Sequence, residues 1–329
     1  MSWSVYRWAW QLESPLYVGM APAGTLNRCR LYLPARNLWA SLTSELAQRQ
    51  AKGGYPDYPG AGKGLKVAAR FTYLFPGEQA QGTYLAWTPM FRRTDGLVWQ
   101  PENAQARNGR AETDRAFRRR LMHGRPSTAL APGTGAVAEG TLREIECMNR
   151  DWKADGNGQR PVVLVGYLFW RDQDRTALFE QVKQITALSV GGDTRYGLGR
   201  LRRVDLNSAD HLFGAQVELG GDSPHILCQT VLAHAHQPVE KAGTTAESAP
   251  FAGLDGSACP GTEARNRFQM GGALERLSGW DLAHDGGLKS LDGSPLWMPG
   301  STLQVSAPAE SEMPAWEVLD TGYWRLKAG

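Results

Sequence analysis

The sequence has few cysteines, no long apolar run and no large excess of one charge. The four cysteines lie far apart, without a Cys-x-x-Cys pair or a Cys/His spacing typical of zinc ligands, so neither a zinc site nor a disulfide framework is expected. No stretch reaches the roughly 18 apolar residues of a membrane span, and Glu13 and Pro15 break the N-terminal stretch where a signal peptide needs apolar residues. We therefore expect a cytoplasmic protein without a metal, a cofactor or a membrane partner.

The basic residues are concentrated in two segments, although the whole chain is almost neutral. The 36 Lys and Arg residues exceed the 33 Asp and Glu residues by only three, which predicts no general affinity for polyanions. Seven arginines fall within nineteen residues, Arg107, Arg110, Arg115, Arg118, Arg119, Arg120 and Arg125, and four more follow a glycine-rich stretch, Arg195, Arg200, Arg202 and Arg203. Such stripes suit a phosphate backbone, but they also occur on ordinary solvated faces.

Apolar periodicity predicts an α+β fold. With 329 residues, of which 42% are hydrophobic, the chain is long enough for about two domains. The patterns predict strands over residues 3–12, 65–76, 82–93, 160–170 and 198–206, helices over 34–52 and 176–188, a turn-rich connection over 55–64 and an irregular, partly mobile insertion over about 95–150. This order of elements is typical of a split βαβ unit.

A change of composition near residues 206–211 predicts a domain boundary. We expect an N-terminal domain of residues 1–205, which contains the insertion, and a smaller β-rich domain of residues 206–329. Residues 237–263 are polar and contain many Gly, Ala and Ser residues, which predicts a loop within the second domain.

The stretch GGDTRYGLGR, residues 191–200, allows three interpretations. A dinucleotide-binding fingerprint needs a strand before it and a helix after it, whereas here a helix precedes and a strand follows. A phosphate-binding Walker loop is excluded because the GxxxxGK[ST] spacing is missing. A glycine loop whose amides and flanking arginines lie along an RNA backbone fits the residues, and so does a tight turn with no ligand.

Three segments, spread over the start, middle and end of the chain, match one known pattern. They are ESPLYVG…RLYLPARNLWASLT, the glycine-rich stretch after a helix, and LSGWDL…PLWMPGSTLQV. Together they resemble the RAMP superfamily, the RNA-binding subunits of CRISPR effector complexes, and within it most resemble the Cas five family and its type III relatives. Ala40 stands where the first helix of that family often has glycine.

The resemblance implies a non-catalytic subunit that binds guide RNA. It implies two tandem ferredoxin-like (RRM-like) domains and a role in capping the repeat-derived five-prime handle of the guide (CRISPR) RNA within an antiviral ribonucleoprotein complex. The partners it implies are that RNA, the backbone and large subunits of the complex and, indirectly, the target nucleic acid.

The resemblance and the basic segments together suggest RNA-binding residues in three places. The glycine loop contributes Gly191, Gly192, Arg195, Tyr196, Gly197, Gly199, Arg200 and Arg202, the first loop and first helix contribute Ser14, Gly19, Arg36 and Asn37, and the insertion contributes Arg118, Arg119, Arg120 and His123. In the insertion, Phe117 and Met122 are expected to wedge against a base, as a thumb-like hairpin of the family does. No catalytic residue is assigned.

Two other functions stay open within the same superfamily. The first is a metal-independent, guide-processing endoribonuclease, with His123 and Tyr196 as candidate residues. The second is a repeated guide-coating backbone subunit, which the two-domain length disfavours. Cleavage of target RNA in this superfamily uses an aspartate after the first strand, and residues 19–33 contain no Asp or Glu. His234 and His236 have the spacing of a strand face but no third ligand in the sequence, so no metal is assigned.

Overall fold

The computed structural model describes residues 2–80, 82–102, 111–153, 160–174, 177–237, 268–277, 280–282, 288–290, 293–305 and 313–327. In these ranges the helices are α1 (Ala35–Ala51), α2 (Tyr58–Ala68), α3 (Asp114–Leu121) and α4 (Ala177–Gln184), with 3-10 turns at Asp172–Asp174 and Thr194–Tyr196. None of these described helices is long and apolar enough to cross a membrane. The other regular elements are strands, so the chain has the α+β class that its periodicity predicts.

The central sheet is built from the N-terminal two thirds of the chain. The strands there are β1 (Trp3–Leu12), β2 (Leu26–Asn27), β3 (Ala69–Phe71), β4 (Phe75–Ala80), β5 (Thr83–Arg92), β6 (Gly96–Pro101), β7 (Glu112–Thr113), β8 (Met122–Ser127), β9 (Arg143–Met148), β10 (Asp151–Trp152), β11 (Arg160–Pro161), β12 (Val163–Arg171), β13 (Ala187–Ser189) and β14 (Arg200–Ala209). Nine of them form one sheet in the order β13-β14-β1-β12-β4-β5-β6-β7, with β3 also paired to β12.

Strand β1 lies between β12 and β14 and is antiparallel to both. Strand β12 is apolar along its length because every residue from Val163 to Trp170 is buried. Helices α1 and α2 connect β1 to β3 and β4, and α4 connects β12 to β13 and β14. The order β14-β1-β12-β4 with these helical crossovers is that of the predicted split βαβ unit. The end of β1 therefore lies beside the start of β14, where the glycine-rich stretch ends.

Helix α2 occupies the segment that the sequence predicts as a turn-rich connection and the start of a strand. Asp57 caps the helix, since its side chain accepts a hydrogen bond from the Gly60 amide at 2.9 Å, and Pro59 fits the first turn because it needs no amide hydrogen there. The prediction is wrong because Gly62, which the sequence suggests as a turn residue, allows close packing between α1 and α2. A Cβ at Gly62 would lie 2.9 Å from the Trp39 ring of α1.

The insertion, which is predicted to be irregular, contains regular structure that packs on the sheet. Strands β8 and β9 form an antiparallel hairpin, and β2 pairs with β9 in parallel. Helix α3 buries Phe117, which stacks on Trp99 at 4.7 Å between ring centroids. The prediction that Phe117 and Met122 wedge against a base is wrong, because both side chains lie in the core. Arg107 and Arg110 lie outside the described residues.

The second half is β-rich, as predicted. Its strands are β15 (His211–Leu212), β16 (Ala215–Glu218), β17 (His225–Leu227), β18 (Phe268–Gly271), β19 (Leu274–Arg276), β20 (Trp280–Leu282), β21 (Leu288–Ser290), β22 (Pro295–Trp297), β23 (Thr302–Val305), β24 (Ala315–Val318) and β25 (Trp324–Leu326). Five form a sheet in the order β15-β16-β17-β24-β25. The described residues after Ala209 contain no helix, and the domain boundary and the second ferredoxin-like unit stay predictions. Most of the loop predicted over 237–263 lies outside the described residues.

A buried chain of polar groups joins the two halves. His234 is fully buried, with Nδ1 2.7 Å from the Tyr73 hydroxyl and Nε2 3.0 Å from Oε2 of Glu275. Glu275 also accepts two hydrogen bonds from Arg30, at 2.7 and 2.6 Å. Burial alone would raise the pKa of Glu275, but the hydrogen bonds from His234 and Arg30 lower it to about 2. Since burial lowers the pKa of His234, a neutral ring donates from Nε2 to Glu275 and accepts from Tyr73 at Nδ1.

Candidate nucleic-acid interface

The glycine-rich stretch forms a closed loop between β13 and β14. The Val190 amide donates a hydrogen bond to the Gly199 carbonyl at 2.9 Å, which brings the two ends of the loop together. Gly191 and Gly199 have φ angles of +81° and +75°, which favour glycine. A Cβ at Gly199 would lie 1.8 Å from the Val190 carbonyl oxygen, and one at Gly191 would lie 2.3 Å from the Tyr17 carbonyl oxygen. These two glycines are therefore required by the close packing of the chain on itself.

Two glycine amides of this loop donate within the protein. The Gly192 amide donates to the Tyr17 carbonyl at 2.8 Å, and the Gly199 amide donates to the Pro15 carbonyl at 2.8 Å. These acceptors speak against a phosphate contact through the two amides, and the other RNA contacts of the loop stay predictions. The glycines instead fasten the loop to the segment that follows β1.

The first loop, the glycine loop and the β8–β9 hairpin meet at the end of β1. The Ser14 hydroxyl accepts a hydrogen bond from the Arg200 amide at 2.9 Å. The backbone groups of Leu16 and Met148 exchange hydrogen bonds of 2.9 and 2.8 Å, which ties the first loop to the end of β9. Gly19 is exposed farther along the same loop. The structure thus brings Ser14 and the glycine loop together, as the sequence predicts for a shared site.

The tip of the glycine loop presents a guanidinium group and an aromatic ring to solvent. Thr194–Tyr196 form a 3-10 turn, and the Gly197 amide closes the turn by donating to the Thr194 carbonyl at 3.0 Å. Arg195 is exposed, and the Tyr196 side chain is 72% exposed. A guanidinium binds phosphate through charge-assisted hydrogen bonds, and an exposed ring can stack on a base.

Arg200 and Arg202 share one carboxylate. Their Nε atoms lie 3.0 and 3.1 Å from the two oxygens of Glu13. The two arginine side chains remain 69% and 50% exposed. Because exposed ion pairs are weak and a guanidinium has five N–H donors, both arginines keep donors for a phosphate.

One face of the β8–β9 hairpin turns toward the glycine loop. The strand register places the side chains of His123, Arg125 and Ser127 on one face together with those of Cys147, Ile145 and Arg143. Ile145 and Cys147 pack against Leu198 of the glycine loop. Arg143 Nη2 forms an ion pair with Oδ2 of Asp193 at 3.1 Å. The hairpin and the glycine loop therefore form the two walls of one groove.

This groove is a cleft of about 310 Å³, which we call the Tyr196 cleft. Arg125 and Arg143 line it from the hairpin, and Asp193 and Tyr196 line it from the glycine loop. Hydroxyl groups complete the lining, from Ser127, Thr128 and Thr141. Two guanidinium groups, three hydroxyls and one aromatic ring are the groups that hold a single-stranded nucleotide.

A separate cleft of about 680 Å³, which we call the His123 cleft, lies between the start of the first loop, His123 of β8 and residues 149–153. Ser14, Arg150 and Lys153 line it together with His123. The Nδ1 atom of His123 is buried and has no hydrogen-bond partner among the described residues. Burial raises the pKa of the neighbouring Cys147 thiol to about 11, so this thiol is protonated. His123 and Arg125 lie on the same face of β8, and each lines one of the two clefts. The clefts therefore follow one another along this strand.

Two of the predicted RNA contacts in the insertion are held inside the protein. Arg118 Nη1 lies 3.1 Å from Oε2 of Glu146, and Arg120 lies 2.6 Å from both Glu78 and Glu112. The two arginine side chains are only 17% and 18% exposed. Their guanidinium groups bind carboxylates of the chain itself, which speaks against a contact of Arg118 or Arg120 with RNA.

The remaining predicted residues lie in two further places. Arg119 is exposed on α3, on the side away from its two inward-facing neighbours. Arg36 and Asn37 are half-buried in the first turn of α1, where Ala35 packs against Gly322. Roles of these three residues in RNA binding stay predictions.

The sequence interpretation missed four basic residues of the two clefts, and of these only Arg125 belongs to the arginine cluster noted in the sequence. Arg143, Arg150 and Lys153 line the two clefts but follow the arginine cluster at a distance, and only the hairpin brings them beside it. The sequence does contain a signal for Arg125. It lies two residues after His123, which is the spacing of side chains on one face of a strand.

No cluster of metal-ligating side chains, with three or more His, Cys, Asp or Glu residues, occurs in the described part of the chain. Of the two histidines considered for a metal, His234 is fully buried and uses both ring nitrogens for Tyr73 and Glu275. His236 is half-buried and its ring lies 6.3 Å from that of Tyr323.

Comparison with known proteins relates the chain to solved structures only. No family model matches the chain, and no curated protein does. The chain is similar to one in the cryo-EM structure of the Type III-B Cmr-beta bound to cognate target RNA and AMPPnP, state 1, with a TM-score of 0.50 and 13% identity over 90% of this chain and 85% of that chain. A chain in the cryo-EM structure of the Type III-B Cmr-beta bound to cognate target RNA has a TM-score of 0.40 and 10% identity over 62% of this chain and 96% of that chain, too low to support an inference. The first likeness shows a shared fold.

Proposed function

We propose that the protein is a subunit of a CRISPR ribonucleoprotein complex that binds guide RNA and caps its five-prime handle. The observation that carries the proposal is the groove between the glycine loop and the β8–β9 hairpin, which combines Arg125 and Arg143 with the exposed Arg195 and Tyr196. The three motifs that resemble the RAMP superfamily support it. The fold shared with a chain of a Type III-B complex bound to target RNA supports it as well.

In this proposal, single-stranded RNA lies along the groove. Tyr196 stacks on a base at the rim, and Arg125 and Arg143 bind phosphates inside. Asp193 pairs with Arg143 until a phosphate takes its place. Breaking this ion pair costs little free energy because the Arg143 side chain is 46% exposed. Arg195 and Arg200 bind the phosphates that leave the groove at the loop tip.

The same proposal covers the architecture and the partners. The split βαβ core corresponds to the first of two ferredoxin-like units, and residues 206–329 would form the second. The exposed arginine of α3, Arg119, would contact a neighbouring protein subunit or the first guide nucleotides, since its side chain is directed away from the core.

The test is binding of the full chain to a labelled guide RNA, with and without its repeat-derived handle, across a series of salt concentrations. We expect handle-dependent binding without cleavage. Arg195→Ala and Arg200→Ala should each weaken binding and lower the slope of log affinity against log salt by about 1, because each removes one phosphate contact. Arg92→Ala, an exposed arginine at the end of β5, is the matched control and should change neither quantity. Equal, weak binding to both RNAs would overturn the proposal.

An endoribonuclease that processes guide RNA is the second candidate, favoured by the His123 cleft. This cleft brings an imidazole together with Arg150 and Lys153, the groups needed for proton transfer and for binding a scissile phosphate. Tyr196 lines the other cleft and so is not its partner. Incubation of repeat RNA with the protein in a chelator decides between the two candidates. Cleavage that is lost in His123→Ala would establish the enzyme and reject the purely structural subunit.

A further inference from the structure

A third basic cleft lies at the opposite end of β1 from the glycine loop. Trp3 opens β1, and the guanidinium groups of Arg70 and Arg171 lie 5.2 and 5.0 Å from the centroid of its ring. Both arginines line a cleft of about 340 Å³, with Lys63 and Lys66 of α2 on its wall. Because β1 has ten residues at about 3.4 Å each, roughly 30 Å separate this cleft from the glycine loop.

Three buried N–H donors in this cluster lack an acceptor. Nε of Arg70, Nε of Arg171 and Nε1 of Trp3 are buried without a hydrogen-bond partner among the described residues. Buried donors in folded proteins are nearly always hydrogen-bonded, because each unsatisfied donor costs about 1 to 3 kcal/mol. Because these three atoms are buried, they are not themselves contacts for a ligand. They show that both guanidinium groups are held against the Trp3 ring with unused hydrogen-bonding capacity, while Nη1 of Arg70 donates to the carbonyls of Lys66 and Ala69.

The charges around the cleft favour an anion as its ligand. Burial lowers the pKa of Arg70. The negative charge of Asp320 raises this pKa, and the positive charge of Arg171 lowers it further. Glu317 and Asp320 also line the cleft, and the Glu317 carboxylate accepts a hydrogen bond from Arg325 at 2.7 Å, so four cationic side chains of the lining face two carboxylates of which one is already paired. Two guanidinium groups that repel one another in a partly desolvated place are stabilised by a shared negative charge.

We infer that this cleft binds a phosphate group, held between the guanidinium groups of Arg70 and Arg171 with Lys63 and Lys66 at the rim. Phosphate fits better than a carboxylate because its oxygens point in several directions and can accept donors from β3, β12 and α2 together. Both the phosphodiester of RNA and a small free phosphate have this chemistry. The inference does not depend on the groove at the glycine loop, which lies at the other end of the sheet.

The experiment titrates the full-length protein with inorganic phosphate and, separately, with a short uridine oligomer that has no terminal phosphate. We expect Arg171→Gln to weaken binding of at least one of the two by about tenfold, and Arg171→Lys to weaken it less because the charge remains. Arg92→Gln is the control and should bind like the original chain. Loss of phosphate binding identifies a small phosphate as ligand, whereas loss of oligomer binding alone identifies a phosphodiester. Identical titrations of the original chain and Arg171→Gln with both probes would overturn the inference.

A second variant guards against a loss of folding in Arg171→Gln. Lys63 is exposed on α2 and lines the same cleft, so Lys63→Gln keeps the fold while it removes one positive charge from the rim. We expect it to lower the affinity of the same probe by a few-fold, in a manner screened by salt. An affinity unchanged in Lys63→Gln, with Arg171→Gln unfolded, would also count against the inference.

Discussion

Two arginine-rich segments look alike in the sequence and differ in the structure. Arg118 and Arg120 of α3 turn inward to carboxylates, whereas Arg195 and Arg200 of the glycine loop are exposed. Each of the two arginines binds one carboxylate that is distant in the chain, Glu146 at 28 residues from Arg118 and Glu78 at 42 residues from Arg120. The density of arginines therefore does not predict contact with RNA. The deciding quantity is whether the fold buries the arginines against their acidic partners, since Arg200 also pairs with a carboxylate, that of Glu13, and is still 69% exposed.

The largest loss of stability is expected from removing one of the two inward-facing arginines of α3. Arg120 lies between two carboxylates and above the rings of Trp87 and Trp152, at 5.4 and 4.8 Å from their centroids. Arg120→Ala leaves buried negative charge with less compensation, so we expect the free energy of unfolding to fall by about 3 kcal/mol. Urea denaturation followed by tryptophan fluorescence measures the change.

The adjacent residue supplies the control. Arg119 is exposed on the same helix, and Arg119→Ala should change the free energy of unfolding by less than about 0.5 kcal/mol. Similar losses in both variants would show that the helix itself, and not the ion pairs of Arg120, determines the stability of this region.

The second prediction compares two glycines of the loop that differ in surroundings and not in backbone conformation. Gly197 has a φ of +81° and open space where a Cβ would be, so Gly197→Ala should cost about 1 kcal/mol from the backbone conformation alone. Gly199→Ala adds an overlap with the Val190 carbonyl, and we expect a loss of more than about 2 kcal/mol. Chemical denaturation of both variants tests this order, and equal losses would contradict the packing argument.

Acid should lower the stability of the fold through the buried polar chain that contains Glu275. Its pKa in the folded chain is about 2, below the ordinary value of 4.5, because His234 and Arg30 donate to the carboxylate. The unfolded chain therefore takes up this proton first as pH falls, and the stabilisation present above pH 4.5 is lost between pH 4.5 and 2. Burial also lowers the pKa of His234, and its protonation on unfolding acts in the same direction. Urea midpoints measured across acidic pH should fall more steeply for the original chain than for Glu275→Gln.

The elements with a clear period could be predicted from the sequence. The partial alternation in β1, the continuous apolar run in β12 and the leucine spacing in α1 depend on residues close together in the chain, and the structure confirms these elements. Helix α2 was missed because the reason for its glycines is a contact with Trp39, which local patterns do not contain.

The candidate site likewise has parts that the sequence predicts and parts that it does not. The tip residues Arg195 and Tyr196 and the nearness of Ser14 to the glycine loop could be predicted, because the motif is contiguous and the first loop ends β1. The linings of the two clefts could not, since the pairing of β8 with β9 places Arg143 in one cleft and brings Arg150 to the other, beside His123. Strand pairing between distant segments leaves no mark on local periodicity.

The smallest effect is expected from a change beside the exposed arginines of the glycine loop. Glu13→Gln removes the carboxylate shared by Arg200 and Arg202, and because exposed pairs are weak, the free energy of unfolding should change by less than about 1 kcal/mol. The affinity for guide RNA should rise about two- to threefold, since a phosphate no longer competes with Glu13 for the two guanidinium groups. Glu45→Gln, which breaks the exposed pair with Arg49 on α1, is the control and should leave RNA binding unchanged. Weaker binding by Glu13→Gln would mean that the carboxylate positions the arginines for RNA, and that the exposed segment, like the buried one, depends on its acidic partner.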